Sequence, residues 1–390
     1  MKIGLLYLNE IKYDDLAWVF VKNGIDSEII DTGISVDSTD AGDAEIVVGQ
    51  LKANGIDLAI TMDFCPAVSD ACEKCGAQYL AWIYDEPQQA LFNKQITNSH
   101  THIFSFDKNQ TKELQKMGAS DVVHFPLATN VYRNAGLIVD RNDEKKYGCN
   151  ISFIGNLYVD DFYDRIYEKA GNKARALMDN VLLNAFGKWD GTDRLSEGFD
   201  ESARDELINL CGFQVDKNNI FSIDPQKYLS ARLFSRKLAN LERVEIAKRL
   251  SSKGFRLYTT SRDLTIEGVD IRKELSYDEE LPKAYHLSRI NLNITLHSIT
   301  SGIPLRVFDI MGVGGFVLSN YQPEIEEFFS IGKDIEVFRT LDELEDKVRF
   351  YLTHDDIRSN IAVNGYKRVS EKYSYDAAFW KMMEHLGVRS

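Results

Sequence analysis

The sequence predicts an α/β protein with two doubly wound parallel sheets, and three features carry that prediction. At 390 residues the chain exceeds one ordinary core and suits two domains of roughly 100–200 residues each. Over residues 1–130, apolar runs alternate with stretches of helical spacing, as strands and crossover helices do. The alternation then stops, passes through charged and helical stretches, and returns before the end.

The first six strands are expected at "KIGLLYL", "SEIID", "IDLAITMD", "QYLAWIYD", "HIFSFD" and "VVHFPLAT". Several are apolar throughout, as strands covered on both faces should be. Helices such as "DDLAWVFVKNG" and "KNQTKELQKMG" fall between them. Residues 131–148, "VYRNAGLIVDRNDEKKYG", lose the period and gather charge, which reads as a linker between domains 1–130 and 149–373. The strand "CNISFIGN" opens the second domain. Residues 158–225 read as a helical insertion, followed by "FRLYTT", "DIRKEL", "INLNITL", "FVLSN" and "IEVF" as strands. Residues 374–390 form a last helix that could pack back on the first domain. Two such sheets place their ligand sites at the carboxyl ends of their strands.

Composition excludes several classes. A net charge of −14 argues against nucleic acid, whose phosphates select dense Lys and Arg. It leaves open a small phosphorylated ligand held by a few local donors. The amino-terminal apolar run is too short for a signal sequence or a membrane span, so the expectation is a cytoplasmic protein with no integral membrane segment. Five cysteines, an odd number, read as free thiols. Cys72 and Cys75 form a C-x-x-C without partner ligands, which reads as two helix cysteines. No D-x-D, P-loop or G-x-G-x-x-G occurs, which removes support for metal-assisted transfer, kinase and NAD readings.

The most informative stretch is "TLHSITSGIPLRVFDIMGVGGFVLSNY", residues 295–321. Gly302 suits a tight turn and Pro304 the first turn of a helix. The helix start would offer N–H groups to a diphosphate, with Arg306 as a bidentate cation. Asp309, one turn on, suits a pair of ribose hydroxyls. A helix cap with a surface ion pair is the plain alternative.

These residues carry a resemblance. "SRINLNITLHSITSGIPLRVFDIMGVGGFVLSNYQPEIEEFF" with "LDELEDKVRFYLTHDDIRSNIAVNGYKRVSEKYS" resembles the carboxyl-terminal domain of CgeB-like glycosyltransferases, related to a spore-maturation protein. "YLAWIYDEPQQ" and "HIFSFDKNQTKELQKMGASDVVHFPLATN" resemble the partner domain. The resemblance implies the GT-B fold, two Rossmann-like domains facing a central cleft, with a nucleotide-sugar donor held by the second. In related retaining enzymes an acidic pair eight residues apart follows this loop. The second acid falls on Asp309 and the first on Ser301, a departure that leaves retention or inversion open.

Around this core the expected donor residues are Gly155 and Asn156 at a strand end, Tyr258, Thr259 and Tyr277 near the nucleobase, and His297 and Ser298 at the loop. Ser301, Gly302, Ile303, Pro304, Leu305, Arg306 and Asp309 complete the set. Lys237 and Arg243 could add charge at the leaving group, although a solvated helix face fits both. On the acceptor side Asp85, next to Glu86 at a strand end, is the candidate base, or else the cap of the next helix; His297 is the other catalytic candidate. The expected activity is metal-independent transfer of a sugar from a nucleotide diphosphate, UDP first among them, to a protein or glycan acceptor. No further cofactor is implied. A non-catalytic nucleotide-sugar or sugar-binding protein of the same shape is the alternative.

Overall fold

The computed structural model describes residues 1–9, 14–196, 199–214, 219–261 and 264–388. The chain divides into two compact units. The first comprises Met1–Leu127, Asp216–Ile223 and Tyr375–Ser390; the second comprises Ala128–Val215 and Asp224–Ser374.

In the first unit, β1 (Ile3–Tyr7), β2 (Ser27–Asp31), β3 (Leu58–Met62), β4 (Gln78–Ile83), β5 (Thr101–Ser105) and β6 (Val122–His124) form one sheet in the order 2-1-3-4-5-6. Every pairing is parallel. β3 is buried at all five positions and β4 at five of six, so the continuous apolar runs mark strands covered on both faces. The closing helix, Tyr375–His385, belongs to this unit. It buries Tyr375, Phe379, Met382 and Met383, and Phe379 meets Phe20 edge to face at 5.4 Å.

In the second unit, β7 (Cys149–Ile154), β8 (Phe255–Tyr258), β9 (Asp270–Arg272), β10 (Ser288–Asn293), β11 (Val317–Asn320) and β12 (Glu336–Phe338) give a second parallel sheet, ordered 12-11-10-7-8-9. The chain moves outward from β7 to β9 and then crosses to the other side at β10. That reversal puts a crevice outside the carboxyl ends of β7 and β10, where open α/β sheets bind ligands.

The stretch 131–148, expected as a linker, forms helices Val131–Ala135 and Arg141–Tyr147, the second opened by an Asp140/Asp143 capping box. Both are short and polar, so no apolar period announces them. The region 158–225 is helical, with Phe162–Lys169, Asn172–Ala185 and Glu201–Leu210 sharing an apolar cluster with Leu229, Leu233 and Phe234. Its segment 216–223, however, groups with the first unit, where Phe221 packs on the core. All five cysteines are free; Cys72 lies in the helix Pro66–Cys75 with its thiol pushed well up by burial. Among the described residues no helix is long and apolar enough to cross a membrane.

Candidate functional site

The crevice at β7 and β10 is built around two guanidinium groups. A helix runs from Pro225 to Leu250, with a π-helical stretch at Ser230–Ser235. Its Arg243 is only 4% exposed. One η-nitrogen donates to the Asn156 carbonyl beyond β7 and the other to the Ile294 carbonyl beyond β10, the latter at 2.6 Å. Arg306 approaches the same place from the helix Leu305–Gly312 and donates to Asn293 Oδ1 at 3.1 Å. Both guanidinium carbons lie over the Phe153 ring, 5.0 and 5.3 Å from its centroid, a cation–π arrangement. Neither arginine forms an ion pair with a described carboxylate. Burial first, and the Arg306 charge second, push the Arg243 pKa down to about 10, so it remains a cation at neutral pH. A Cβ at Gly155 would sit 2.9 Å from Arg306 Nη2 and 3.1 Å from Phe153 Cζ; glycine keeps this approach open.

Asp309 points elsewhere. Its Oδ1 accepts from the Thr129 hydroxyl at 2.9 Å and its Oδ2 from the Tyr277 hydroxyl at 3.2 Å. The buried Tyr285 hydroxyl feels both Arg306 and Asp309, and burial pushes its pKa up. Thus Arg306 and Asp309 form no pair with each other. Each belongs to a separate polar set at one helix.

The intervening loop is braced from several sides. Ser298 N–H donates to Ser235 Oγ at 3.1 Å, which the π-helical stretch supplies. Thr295 N–H donates to Asn320 Oδ1 at 2.7 Å. His297 Nε2 lies 3.0 Å from Glu242 Oε1, and its ring stacks on Trp189. Glu242 is fully buried and also accepts from Gly187 N–H at 2.9 Å. A carboxylate there accepts from Nε2–H and turns the Nδ1 edge away from Glu242. A cleft beside the ring is lined by Asp193, Thr295, His297, Thr300, Asn320 and Gln322, among others.

Most of the sequence-predicted donor residues gather in this unit, with adjustments. Gly155 and Arg306 meet at Phe153, Asn156 accepts from Arg243, and Tyr277 meets Asp309. Gly302 and Ile303 are buried within the loop. Pro304 caps the helix in extended conformation and Leu305 begins it, so the helix starts one residue later than expected. The left-handed glycine of the stretch is Gly314, φ 74, not Gly302. Ser301 directs its hydroxyl to Glu324 Oε1 at 2.7 Å. Tyr258 packs with Tyr147 and Ala284 instead of joining the arginines, and Thr259 Oγ1 accepts from Ser261 N–H. Lys237 is taken by Asp164 at 2.8 Å. Arg243, read as a solvated face, is the most buried cation of the site. Asn293, Glu242, Thr129 and Tyr285 were missed. Only a glutamate beside Arg243 in "LERVEIAKRL" hinted at one of them, Glu242.

The first unit carries its own acidic feature. Asp63, just past β3, holds φ 62 and is 3% exposed. Its Oδ1 accepts from the N–H groups of Tyr84 at 2.7 Å and Asp85 at 3.2 Å. Burial, then the Asp85 charge, raise its pKa to about 7. Asp85 is an exposed residue whose carboxyl is nevertheless pushed up, by desolvation first and Asp37 second. Asp85 therefore does not stand alone, and its buried neighbour ends an apolar run in the same way, "AITMD" beside "AWIYD".

Two measurements test this description. An acid that keeps its proton to about pH 7 when folded, but loses it near pH 4 when unfolded, lowers stability as pH rises between those values. The step belongs to the Asp63–Asp85 pair. Asp63→Asn keeps the acceptor oxygen and tolerates φ 62, so its melting temperature should exceed the wild type's at pH 8, with the gap closing toward pH 4. A variant less stable at pH 8 would contradict the assignment. Secondly, a Cβ at Gly312 would lie 2.6 Å from Thr129 Cγ2 and 2.8 Å from Thr129 Oγ1. Gly312→Ala should cost about 1–3 kcal/mol in denaturant unfolding; an unchanged midpoint would argue against this packing.

Residues 232–384 match the sequence model of a family described as glycosyl transferase-like. A search of curated proteins finds no match. Among solved structures the chain is similar to a glycosyltransferase from Rickettsia africae, at 12% identity, covering 98% of this chain and 97% of that one, TM-score 0.54. It is also similar to sucrose-phosphate synthase from Thermosynechococcus elongatus, 8% identical, covering 99% and 98%, TM-score 0.55. Anabaena Alr3699/HepE, solved in complex with UDP-glucose, is 8% identical over 99% of each chain, TM-score 0.56. At these identities the likeness shows the fold alone, and that fold is GT-B. Residues 232–384 thus carry a glycosyl transferase-like domain, in a chain whose architecture is GT-B along its whole length.

Proposed function

We propose that the protein transfers a sugar from a nucleotide-diphosphate donor, a UDP-sugar first among candidates, to an acceptor hydroxyl without a metal ion. One observation carries the reading: Arg243 and Arg306 converge on Phe153 with no carboxylate between them. Two cations in a low-dielectric crevice repel one another and favour a dianion. A diphosphate satisfies both, and its charge grows as the sugar–oxygen bond breaks, so fixed guanidiniums stabilise the transition state more than the ground state. The Leu305 helix start adds its N–H groups. Asp309, oriented by Thr129 and Tyr277, is the acceptor for ribose hydroxyls. His297, held through Nε2, offers Nδ1 to a sugar hydroxyl. The acceptor is assigned to the first unit, where the Asp63–Asp85 pair, raised to about 7 for Asp63, suits general-base chemistry near neutral pH. HepE, solved with UDP-glucose, guides the choice of nucleotide.

A second reading, a nucleotide-sugar-binding protein without turnover, draws on one observation. The position where the resemblance implies an acid holds Ser301, whose hydroxyl is engaged by Glu324. A panel of UDP-, GDP- and TDP-sugars, read as released nucleotide diphosphate with and without acceptors, separates the two. Release supports transfer; binding without release supports the second reading.

Arg306→Ala and Asp309→Ala should each weaken UDP binding about 10- to 100-fold, the loss of a charge-assisted contact, with unfolding midpoints little changed for Arg306. Wild-type affinity in both would displace the site. Turnover should survive EDTA, and its rate should climb with pH toward about 7 as the acid pair ionises. A flat profile through that range would remove the pair from the reaction.

A further inference from the structure

The closing helix of the first unit ends in His385, which reaches the edge of the first sheet. There it meets Asp121, directly before β6, and His102, the second residue of β5. His102 Nδ1 lies 2.7 Å and His385 Nε2 2.8 Å from the same oxygen, Asp121 Oδ2. One ligand atom from each of the three residues lies within 4.8 Å of the others. A fourth residue completes the arrangement: Gln78, at the start of β4, places Oε1 2.8 Å from His102 Nε2.

The hydrogen bonds fix where charge is needed. An amide oxygen only accepts, so His102 Nε2 carries a hydrogen and the neutral ring turns its Nδ1 lone pair toward Asp121. The same carboxylate oxygen faces a second imidazole. Lone pair and anion at 2.7 Å are compatible only when a positive charge lies between them. A second proton on the ring supplies one such charge; a divalent cation supplies another and satisfies all three donors together.

We propose that His102, Asp121 and His385 bind a divalent transition-metal ion of the zinc class and thereby fasten the carboxyl-terminal helix to β5 and β6. Zinc holds imidazole nitrogen at about 2.0–2.1 Å and carboxylate oxygen at about 2.0–2.2 Å. Tetrahedral donors then stand roughly 3.4 Å apart, so the two short contacts open by about 0.6 Å and the loose third one closes. Side-chain exposures of 18% for His102, 31% for Asp121 and 38% for His385 leave a path for the ion and room for water as a fourth ligand. Gln78 acts through His102 as its orienting partner, the role outer hydrogen bonds play at metal-bound histidines. Two nitrogens and one oxygen favour zinc, nickel or copper over magnesium or calcium, which select oxygen. The role is structural, and its residues are separate from those assigned to donor and acceptor.

The test uses the full chain without a histidine tag, stripped with EDTA and titrated with ZnCl2. One equivalent should bind in equilibrium dialysis. At a free concentration about 100-fold above Kd the first unit's melting temperature should rise roughly 5 °C or more, and amide exchange over residues 375–388 should slow. His385→Gln, at an exposed helix end, should lose at least tenfold in affinity and the melting shift, with UDP binding unchanged. His102→Gln, checked by circular dichroism, should do the same. Mg2+ should give neither effect. No saturable stoichiometric binding, equal zinc affinity in both variants, or equal response to Mg2+ would each overturn the proposal.

Discussion

The second unit depends on one buried charge. Arg243 places its guanidinium at the carboxyl ends of β7 and β10, with carbonyls from both strand ends as acceptors and the rings of Phe153 and Tyr158 within about 5 Å. Desolvating such an ion costs several kcal/mol after relaxation. Two neutral carbonyls, two aromatic faces and the field of Glu242 offset only part of that, because no described carboxylate forms an ion pair with it. A core built for stability alone would pair this charge or omit it. Its persistence at the topological switch point, beside Arg306, is the physical reason to place an anion there, and the Nε that lacks a protein partner points the same way.

What surrounds the charge is stiff. The loop between β10 and the Leu305 helix is tied to the Pro225–Leu250 helix through Ser235 and Glu242, and to the end of β11 and the segment after it through Asn320, Gln322 and Glu324. These bonds explain why residues with catalytic-looking side chains have other duties. Ser301 secures the loop by bonding Glu324, and Glu242 fixes the tautomer of His297. A site that stabilises developing charge benefits from dipoles that need no reorganisation, so the bracing and the chemistry serve the same end.

The central strands were legible in the sequence because parallel strands covered on both faces leave continuous apolar runs; the edge strands β2 and β9, largely unburied, were legible from their place in the alternation. The helix bearing Arg306 and Asp309 was legible because charges on an apolar background stand out. Arg243 was not, since the helix around it, "LANLERVEIAKRL", is charged enough to pass for a solvated face. Only the insertion helices and the loop packing against it reveal that this face is inside. Asp63 was hidden differently: an acid after a strand is common, and its raised pKa comes from burial and Asp85, contacts far apart in sequence. Thr129 lay at the end of what read as the strand "VVHFPLAT", whereas β6 stops at His124.

On the proposed function, the same electrostatics bear on how a chain of net charge −14 would hold a diphosphate. Net charge acts over many ångströms and is screened within about 8 Å at physiological salt; the guanidinium pair acts at contact, inside low dielectric. Overall acidity therefore slows the approach of an anionic donor more than it weakens the bound state, and the binding energy must come from few groups. Concentrating it in Arg243 and Arg306 has a consequence for the chemical step. In the proposed transfer, charge would accumulate on the diphosphate oxygen nearest the sugar as its bond to the sugar breaks, and a fixed pair of forks would gain interaction energy in step with it. A mobile surface lysine such as Lys237, held in an exposed pair with Asp164, would spend that gain on ordering its own side chain. Buried arginine, with its ordering cost already met on folding, keeps the gain for the transition state.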